Sequence, residues 1–375
     1  MLKKFDNFME KHKKDLGLYL LVLTFLLISI GCIFVYSSSS IKALVDSNDV
    51  NLFFRKQLTF AVLGILIIIP IFSLGSKFYK KFFPFMYGGV LFLLVLVHFI
   101  GTGADEVGAQ SWIRFAGIGI QPSELAKIMI VITFAYFLEQ GAFDFKANLH
   151  KALISIGLTI LPIVLVIMEP DLGSVAIMSA GLVGMLFFTR IPLKFFVVMG
   201  ASGAAFLSMF MTFAGYRMAR IEAWLDPFKD PQGISYQIVQ SFYAIANGGI
   251  LGQGIGGSKQ KFLWLPEQHT DFIFSIYCEE TGFIGAVILI GLIVSMFVVI
   301  LYMSKFKENV FAKFTIVGLG FIIAFQSFLN IMVVTGLFPV TGVTLPFMSY
   351  GGTSLVISCI MIGVILSLYC EKDVE

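Results

Sequence analysis

The chain has 375 residues, 58% of them hydrophobic and 13% charged, with a mean hydropathy of +0.92. Soluble domains carry roughly 25% charge, so a soluble fold is excluded. The formal charge of +3 is small and does not suggest nucleic acid as a partner.

The first apolar run, 17–38, follows Lys3, Lys4, Lys11, Lys13 and Lys14 and superficially resembles a signal peptide. Its length, and the absence of a small-residue cleavage pattern where Ser37 to Ser40 lead into Ile41 and Lys42, favour a retained first span. Further runs follow at 57–75, 84–101, 124–138, 152–168, 174–190, 194–213, 272–302, 313–337 and 347–369. Each approaches the length needed for a hydrocarbon core of ~30 Å. The expectation is an all-α polytopic membrane protein of ten transmembrane helices, forming one integral membrane unit over 1–375. The run at 124–138 is short enough to enter the bilayer only partly, and the one ending near Met303 long enough to tilt or project.

Ten spans put both termini on one side. Sixteen Lys and Arg fall in the loops of that side and nine in the opposite loops, so both termini are expected in the cytoplasm. The segments 102–123, 169–173, 214–271 and 338–346 then face outward. The large extracellular loop 214–271, between spans 7 and 8, exceeds what connection requires, so any chemistry is expected there.

The polar residues of those segments are the candidates. In Gln121-Pro122-Ser123-Glu124-Leu125-Ala126-Lys127, proline suits a first helical turn, and Glu124 and Lys127 share a face at i and i+3. Such a pair at the bilayer edge either faces a functional cavity or only fixes helix packing. Glu169-Pro170-Asp171-Leu172-Gly173 places two acids in a turn, as functional groups or as caps for the next span. Arg217 and Arg220, also at i and i+3, suit a phosphate or pyrophosphate, or else snorkel at a span end. Gly252-Gln253-Gly254-Ile255-Gly256-Gly257 satisfies GxGxxG, but no strand or βαβ unit surrounds it. It is read as a set of tight turns beside a ligand or in a loop folded onto the bundle, not as a nucleotide site.

The densest polar cluster, Lys261 to Phe274, includes Glu267, His269 and Asp271 and leads directly into an apolar span. A partly desolvated Asp271 at that edge could serve as a general base toward a sugar hydroxyl, or Asp271 or Thr270 could simply cap the span. Glu279 and Glu280, two turns on, need a polar environment. Pro339 to Ser354, with Ser349 among its hydroxyls, reads as a groove lining or as close helix packing. Four cysteines lack CxxC or Cys/His spacing, so neither a disulfide framework nor a zinc site is expected.

Taken together, VYSSSS, QSWI, QPSELAK, EPDLG, YRMARIEAWLDPF, the 247–274 string, EETGFIGA and GVTLPFMSYGGTS occur in the order found in the shape, elongation, division and sporulation family of membrane glycosyltransferases. The chain resembles that family over nearly its whole length, in the FtsW and SpoVE branches more than RodA. Cys278 and Thr281, in CEETG where GEELG is usual, are mild departures.

The resemblance implies a peptidoglycan glycosyltransferase that polymerises lipid II at the outer face of the plasma membrane, in division, elongation or sporulation. It matches Asp271 to the aspartate essential for polymerisation, Glu124 and Lys127 to a buried acid and lysine, and Asp171 to the acid of the EPDLG turn. Glu267, His269, Ser349, Arg217 and Arg220 complete the expected substrate-binding set. Attack by the GlcNAc 4-hydroxyl of one lipid II on the MurNAc anomeric carbon of the growing chain would displace undecaprenyl pyrophosphate with inversion. Arg217, Arg220, Lys127 or a divalent cation, Mg or Mn, would steady the leaving charge, and no nucleotide is needed. The implied partner is a class B penicillin-binding protein, a transpeptidase. A lipid II flippase or other transporter and a noncatalytic divisome scaffold are the rival readings.

Overall fold

The structure is a computed structural model that describes residues 9–102, 111–115, 118–142, 148–189, 194 and 215–372. Long runs of aliphatic and aromatic residues with few charges form helices α1 (Leu16–Ser47), α2 (Leu52–Phe72) and α3 (Gly75–Ile100). A two-stranded antiparallel ribbon, β1 (Ile113–Phe115) with β2 (Ile118–Ile120), comes next. It is followed by α4 (Pro122–Glu139), α5 (Leu149–Met168) and α6 (Leu172–Phe187). Two shorter helices, α7 (Gly215–Leu225) and α8 (Tyr236–Gly248), precede α9 (Ile273–Lys305), α10 (Val310–Val334) and α11 (Gly352–Cys370).

The starts of these helices are written in the sequence. Pro122 occupies the first turn of α4. Asn148, Asp171 and Asn309 each accept a backbone N–H three residues on, satisfying one of the amides a helix start leaves unpaired.

Among the described residues seven helices are long and apolar enough to cross a membrane: α1, α2, α3, α5, α9, α10 and α11. Helix α4 carries Glu124, Lys127 and Glu139 within its 18 residues, and α6 has only 16. Nine of the ten expected segments therefore coincide with helices. The seventh, 194–213, lies outside the described residues apart from Lys194.

Two expectations need correction. The ribbon makes the chain mostly rather than wholly helical. The segment 214–271 holds two helices, 215–225 and 236–248, and the second buries Ile238, Val239 and Ala244 against the bundle. Helix α4 is packed inside the bundle: Ala126, Ile130, Val131 and Ile132 are among its fully buried side chains, and it packs against α3, α6 and α10.

The middle of the bundle is α10 and α11, with 78% and 72% of their most apolar stretches buried, against 22–39% for the other five crossing helices. Lipid solvates the outer helices, so close contact with the central pair needs small residues. Gly181 of α6 sits against Ile322 of α10, and Gly318 of α10 against Val131 of α4 and Met185 of α6.

Helix α9 is broken within its length. Gly282 has φ +69° and ψ −169°, inside what would otherwise be one 33-residue helix. A residue with a side chain is strained at that φ, so glycine marks the break. The glycine-rich segment fills it. Gln253 N and Gly254 N donate to the carbonyls of Glu279 and Glu280, and Phe283 N and Ile284 N donate to those of Gly249 and Ile250, at 2.9 to 3.2 Å. The GxGxxG run is thus a loop folded onto the bundle.

Candidate active site

Buried acids on α9 shape the segment that leads to the site. Glu279 accepts from Ser258 Oγ at 2.5 Å, Lys259 N at 3.1 Å, Gln260 N at 3.3 Å and Asn247 Nδ2 at 3.3 Å. Glu280 accepts from Ser37 Oγ at 2.6 Å and lies 3.5 Å from Lys261 Nζ. The environment these two acids needed is this loop, and their work is to order it.

The chain then runs through Glu267 to Asp271 and turns into α9. The cap position of α9 is Phe272, with no side-chain cap bond, so neither Asp271 nor Thr270 caps the helix. Thr270 Oγ1 donates instead to Glu267, at its carbonyl (3.1 Å) and its carboxylate (2.9 Å).

Asp271 is half-buried, and its carboxyl is pushed up to about 7. Burial is the largest cause and the nearby Glu267 charge adds to it, while Arg220 opposes both. A carboxyl so placed, free of capping duty, can accept a proton from a hydroxyl near neutral pH.

Opposite it stands the α10–α11 turn. Asn330 of α10 donates through Nδ2 to Asp271 O and to Val343 O, each at 2.7 Å. Gly342 has φ +73°, and a Cβ there would lie 3.5 Å from Asp271 Oδ2. Glycine thus keeps the approach to the carboxylate open.

One turn earlier on α10, Gln326 accepts from Lys127 Nζ at 2.9 Å and donates to Thr344 O at 3.1 Å. Lys127 also pairs with Glu124 at 2.9 Å, the lysine only 1% exposed and the glutamate 5%. Thr344 Oγ1 is 2.9 Å from Ser354 Oγ. The expected pair on α4 therefore exists, and a polar ladder carries it to the turn that faces Asp271.

Arg220 comes from α7, which is anchored by Trp224 Nε1 donating to Gly336 O at 2.8 Å. Its positive charge favours the ionised form of the Asp271 carboxyl. Arg217 shares the helix, and its side chain lies outside the described residues.

Three of the expected substrate-contact residues have partners within the protein. Ser349 is 4% exposed, and its hydroxyl is committed on both sides, donating to Thr270 O at 2.6 Å and accepting from Leu345 N at 2.8 Å. It fastens the α10–α11 turn to the Asp271 segment. His269 is 3% exposed, with its ring 4.7 Å from that of Phe53 and 5.4 Å from that of Tyr350. Burial, with Lys42 beside it, lowers it to about 4 against the opposing charges of Glu267 and Asp46, so it is a neutral packing residue. Asp171 accepts from Ser174 N (2.9 Å), Gln121 Nε2 (3.1 Å) and Ser123 Oγ (3.2 Å), which makes it the cap of α6 and its tie to α4.

Its neighbour Glu169 is the unusual acid of that turn. It is 2% exposed, neither carboxyl oxygen has a hydrogen-bond partner among the described residues, and burial with the Asp171 charge pushes it to about 9. Glu267 remains open at the surface, 3.6 Å from Lys42.

Among the described residues no three His, Cys, Asp or Glu side chains converge as metal ligands. Asp171 and Glu279 are spent on hydrogen bonds and Glu267 faces a lysine, so these residues do not fit a protein cage for Mg or Mn. A recess of about 540 Å³ among α2, α3, α4 and α11, lined by Phe78, Met86, Val90, Ile128 and other apolar residues, holds none of the candidate side chains.

Asn330 and Gln326 were not anticipated. The signal was present, since they stand at i and i+4, on one face of a helix that is otherwise almost wholly apolar.

A sequence profile of the family described as cell cycle protein, covering FtsW, RodA and SpoVE, matches residues 18–373. A protein of Trichlorobacter lovleyi named probable peptidoglycan glycosyltransferase FtsW is 36% identical over 360 residues, 94% of this chain and 93% of its own. Stage V sporulation protein E of Bacillus subtilis is 36% identical over 364 residues, 96% of this chain and 98% of its own. A solved structure described as "Structural coordination of polymerization and crosslinking by a peptidoglycan synthase complex" superposes with a TM-score of 0.76 at 26% identity, covering 93% of this chain and 96% of the other. The rod shape determining protein RodA of Thermus thermophilus has the same fold, with a TM-score of 0.67 at 23% identity over 93% of this chain and 95% of its own.

Proposed function

Because the chain belongs to the family of FtsW, RodA and SpoVE cell cycle proteins, we propose that it is a peptidoglycan glycosyltransferase that polymerises lipid II at the outer face of the plasma membrane. The observation that carries this reading is the uncapped Asp271, raised to about 7 and facing Arg220 and Gly342. The reading includes ten spans in one unit with both termini in the cytoplasm, which puts Asp271 on the outer side.

In the reaction, Asp271 takes the proton from the 4-hydroxyl of a GlcNAc as that oxygen attacks the anomeric carbon of the MurNAc at the end of the growing chain. The new C–O bond forms on the face opposite the one that breaks. Undecaprenyl pyrophosphate departs with the electron pair of the broken bond. Arg220, with Arg217 on the same helix, offsets the charge that builds on that leaving group. Energy resides in the pyrophosphate linkage, so no nucleotide site is required. Lys127 and Glu124 act from below by fixing Gln326 and the α10–α11 turn.

The likeness to the peptidoglycan synthase complex supports a partner for this chain, and we assign that role to a class B penicillin-binding protein. Relatives named for FtsW and for stage V sporulation stand at equal identity, which fits either division or sporulation.

Purified protein in proteoliposomes, supplied with fluorescent lipid II with and without the transpeptidase, separates the readings. Glycan strands resolved on a gel support the polymerase. Monomer moved across the bilayer without polymer would make the chain a flippase, and neither activity would leave a scaffold.

A further inference from the structure

The glycine-rich segment carries Ile250, Leu251 and Ile255, which are 69%, 78% and 71% exposed. No other described part of the protein covers these side chains, and α9 fixes the depth at which they lie. The amides of Phe283 and Ile284 donate to the carbonyls of Gly249 and Ile250 at 2.9 and 3.2 Å, which ties the two stretches at one level. Phe283, Ile284, Val287 and Ile288 form an exposed apolar stripe at helical spacing, so this part of α9 faces lipid.

The opposite end of α9 is Lys305, where a lysine marks the membrane surface. Twenty-one residues separate Ile284 from Lys305. At 1.5 Å per residue they span about 31 Å, the thickness of the hydrocarbon core. Ile284 therefore lies where the acyl chains end, and so do Ile250 and Leu251. The exposed Trp264, on the same loop, suits the headgroup level that tryptophan favours.

We propose that Ile250, Leu251 and Ile255 insert into the outer ends of the lipid acyl chains, so that the 249–257 turn is a membrane-seated anchor for the loop that carries Asp271. Within the turn, the amides of Gly252, Gln253, Gly254 and Gly257 donate to the carbonyls of Gly248, Glu279, Glu280 and Gly254, which reduces the cost of seating an irregular stretch at that depth.

The test uses the full chain in lipid nanodiscs without any partner, after Cys32→Ala and Cys370→Ser. Nitroxide labels go at Leu251→Cys and Ile255→Cys, with Val287→Cys as a lipid-facing reference and Gln232→Cys as an exposed loop reference. Power-saturation electron paramagnetic resonance should find labels 251 and 255 relaxed more strongly by oxygen than by an aqueous nickel chelate, as at 287, and the reverse at 232. Labels at 251 and 255 that match 232 would overturn the proposal and leave this surface open to a protein partner.

Discussion

Asn330 Nδ2 stands 2.7 Å from both Asp271 O and Val343 O, so one amide holds the acid and the turn opposite it in register. Asn330→Leu would leave two carbonyls without their donor, at a cost of about 1–3 kcal/mol for each one kept from water. It would also let Asp271 drift, and a misplacement of ~1 Å can cost about 10²-fold in rate. The expected result is a fall of about 10- to 100-fold in kcat with the lipid II KM little changed, read from initial rates of strand formation. Full kcat in Asn330→Leu would remove this role.

Gly342→Ala tests the open side of the same carboxylate. The added methyl would sit 3.5 Å from Asp271 Oδ2, where an incoming hydroxyl must approach, at a φ of +73° that costs a side chain about 1–2 kcal/mol. Activity should drop at least about tenfold while the protein still elutes as a folded monodisperse species. An alanine variant that polymerises like the parent would show that the substrate comes from elsewhere.

The pH profile follows from the charges around Asp271. The base must be ionised, so the rate should rise with pH up to about 7 and level off above it. Glu267 raises Asp271 and Arg220 lowers it. Glu267→Gln should therefore move the rising limb to lower pH and Arg220→Gln should move it to higher pH. Shifts in the same direction for both variants would contradict this electrostatic picture.

Glu124 and Lys127 are a buried pair, and removing one partner strands the other's charge. Lys127→Met should destabilise by about 3–5 kcal/mol, and the double change Glu124→Gln with Lys127→Met should recover much of that loss. Thermal unfolding in nanodiscs measures both. A double variant no more stable than Lys127→Met would mean that Glu124 does not need the lysine.

The spans were legible because a bilayer demands long apolar runs, and nine of the ten expected segments meet helices among the described residues. The site was only partly so. Asp171 and Asp271 look alike in the sequence, each an acid just before an apolar run. Whether such an acid caps depends on the backbone at the helix start, and only Asp171 turns its carboxylate back onto the helix. Ser349 and His269 belong to polar-rich strings that suggest a ligand, yet a string does not reveal which side chains point inward. The break at Gly282 was hidden because apolar residues continue on both sides of it, and the partner that fills it lies some thirty residues earlier in the chain. Gln326 and Asn330 were visible as isolated polar residues, but their partners were not, since these come from α4 and from the segments around Asp271 and Val343.

The most direct measurement compares Asp271→Asn and Asp271→Glu with the parent, each purified to the same folded state and assayed for strand formation from lipid II. Asparagine keeps the shape and loses the base, so it should make no polymer, while glutamate should retain a small fraction of the parental rate. Parental activity in Asp271→Asn would contradict the central claim that this carboxylate takes the proton from the attacking sugar.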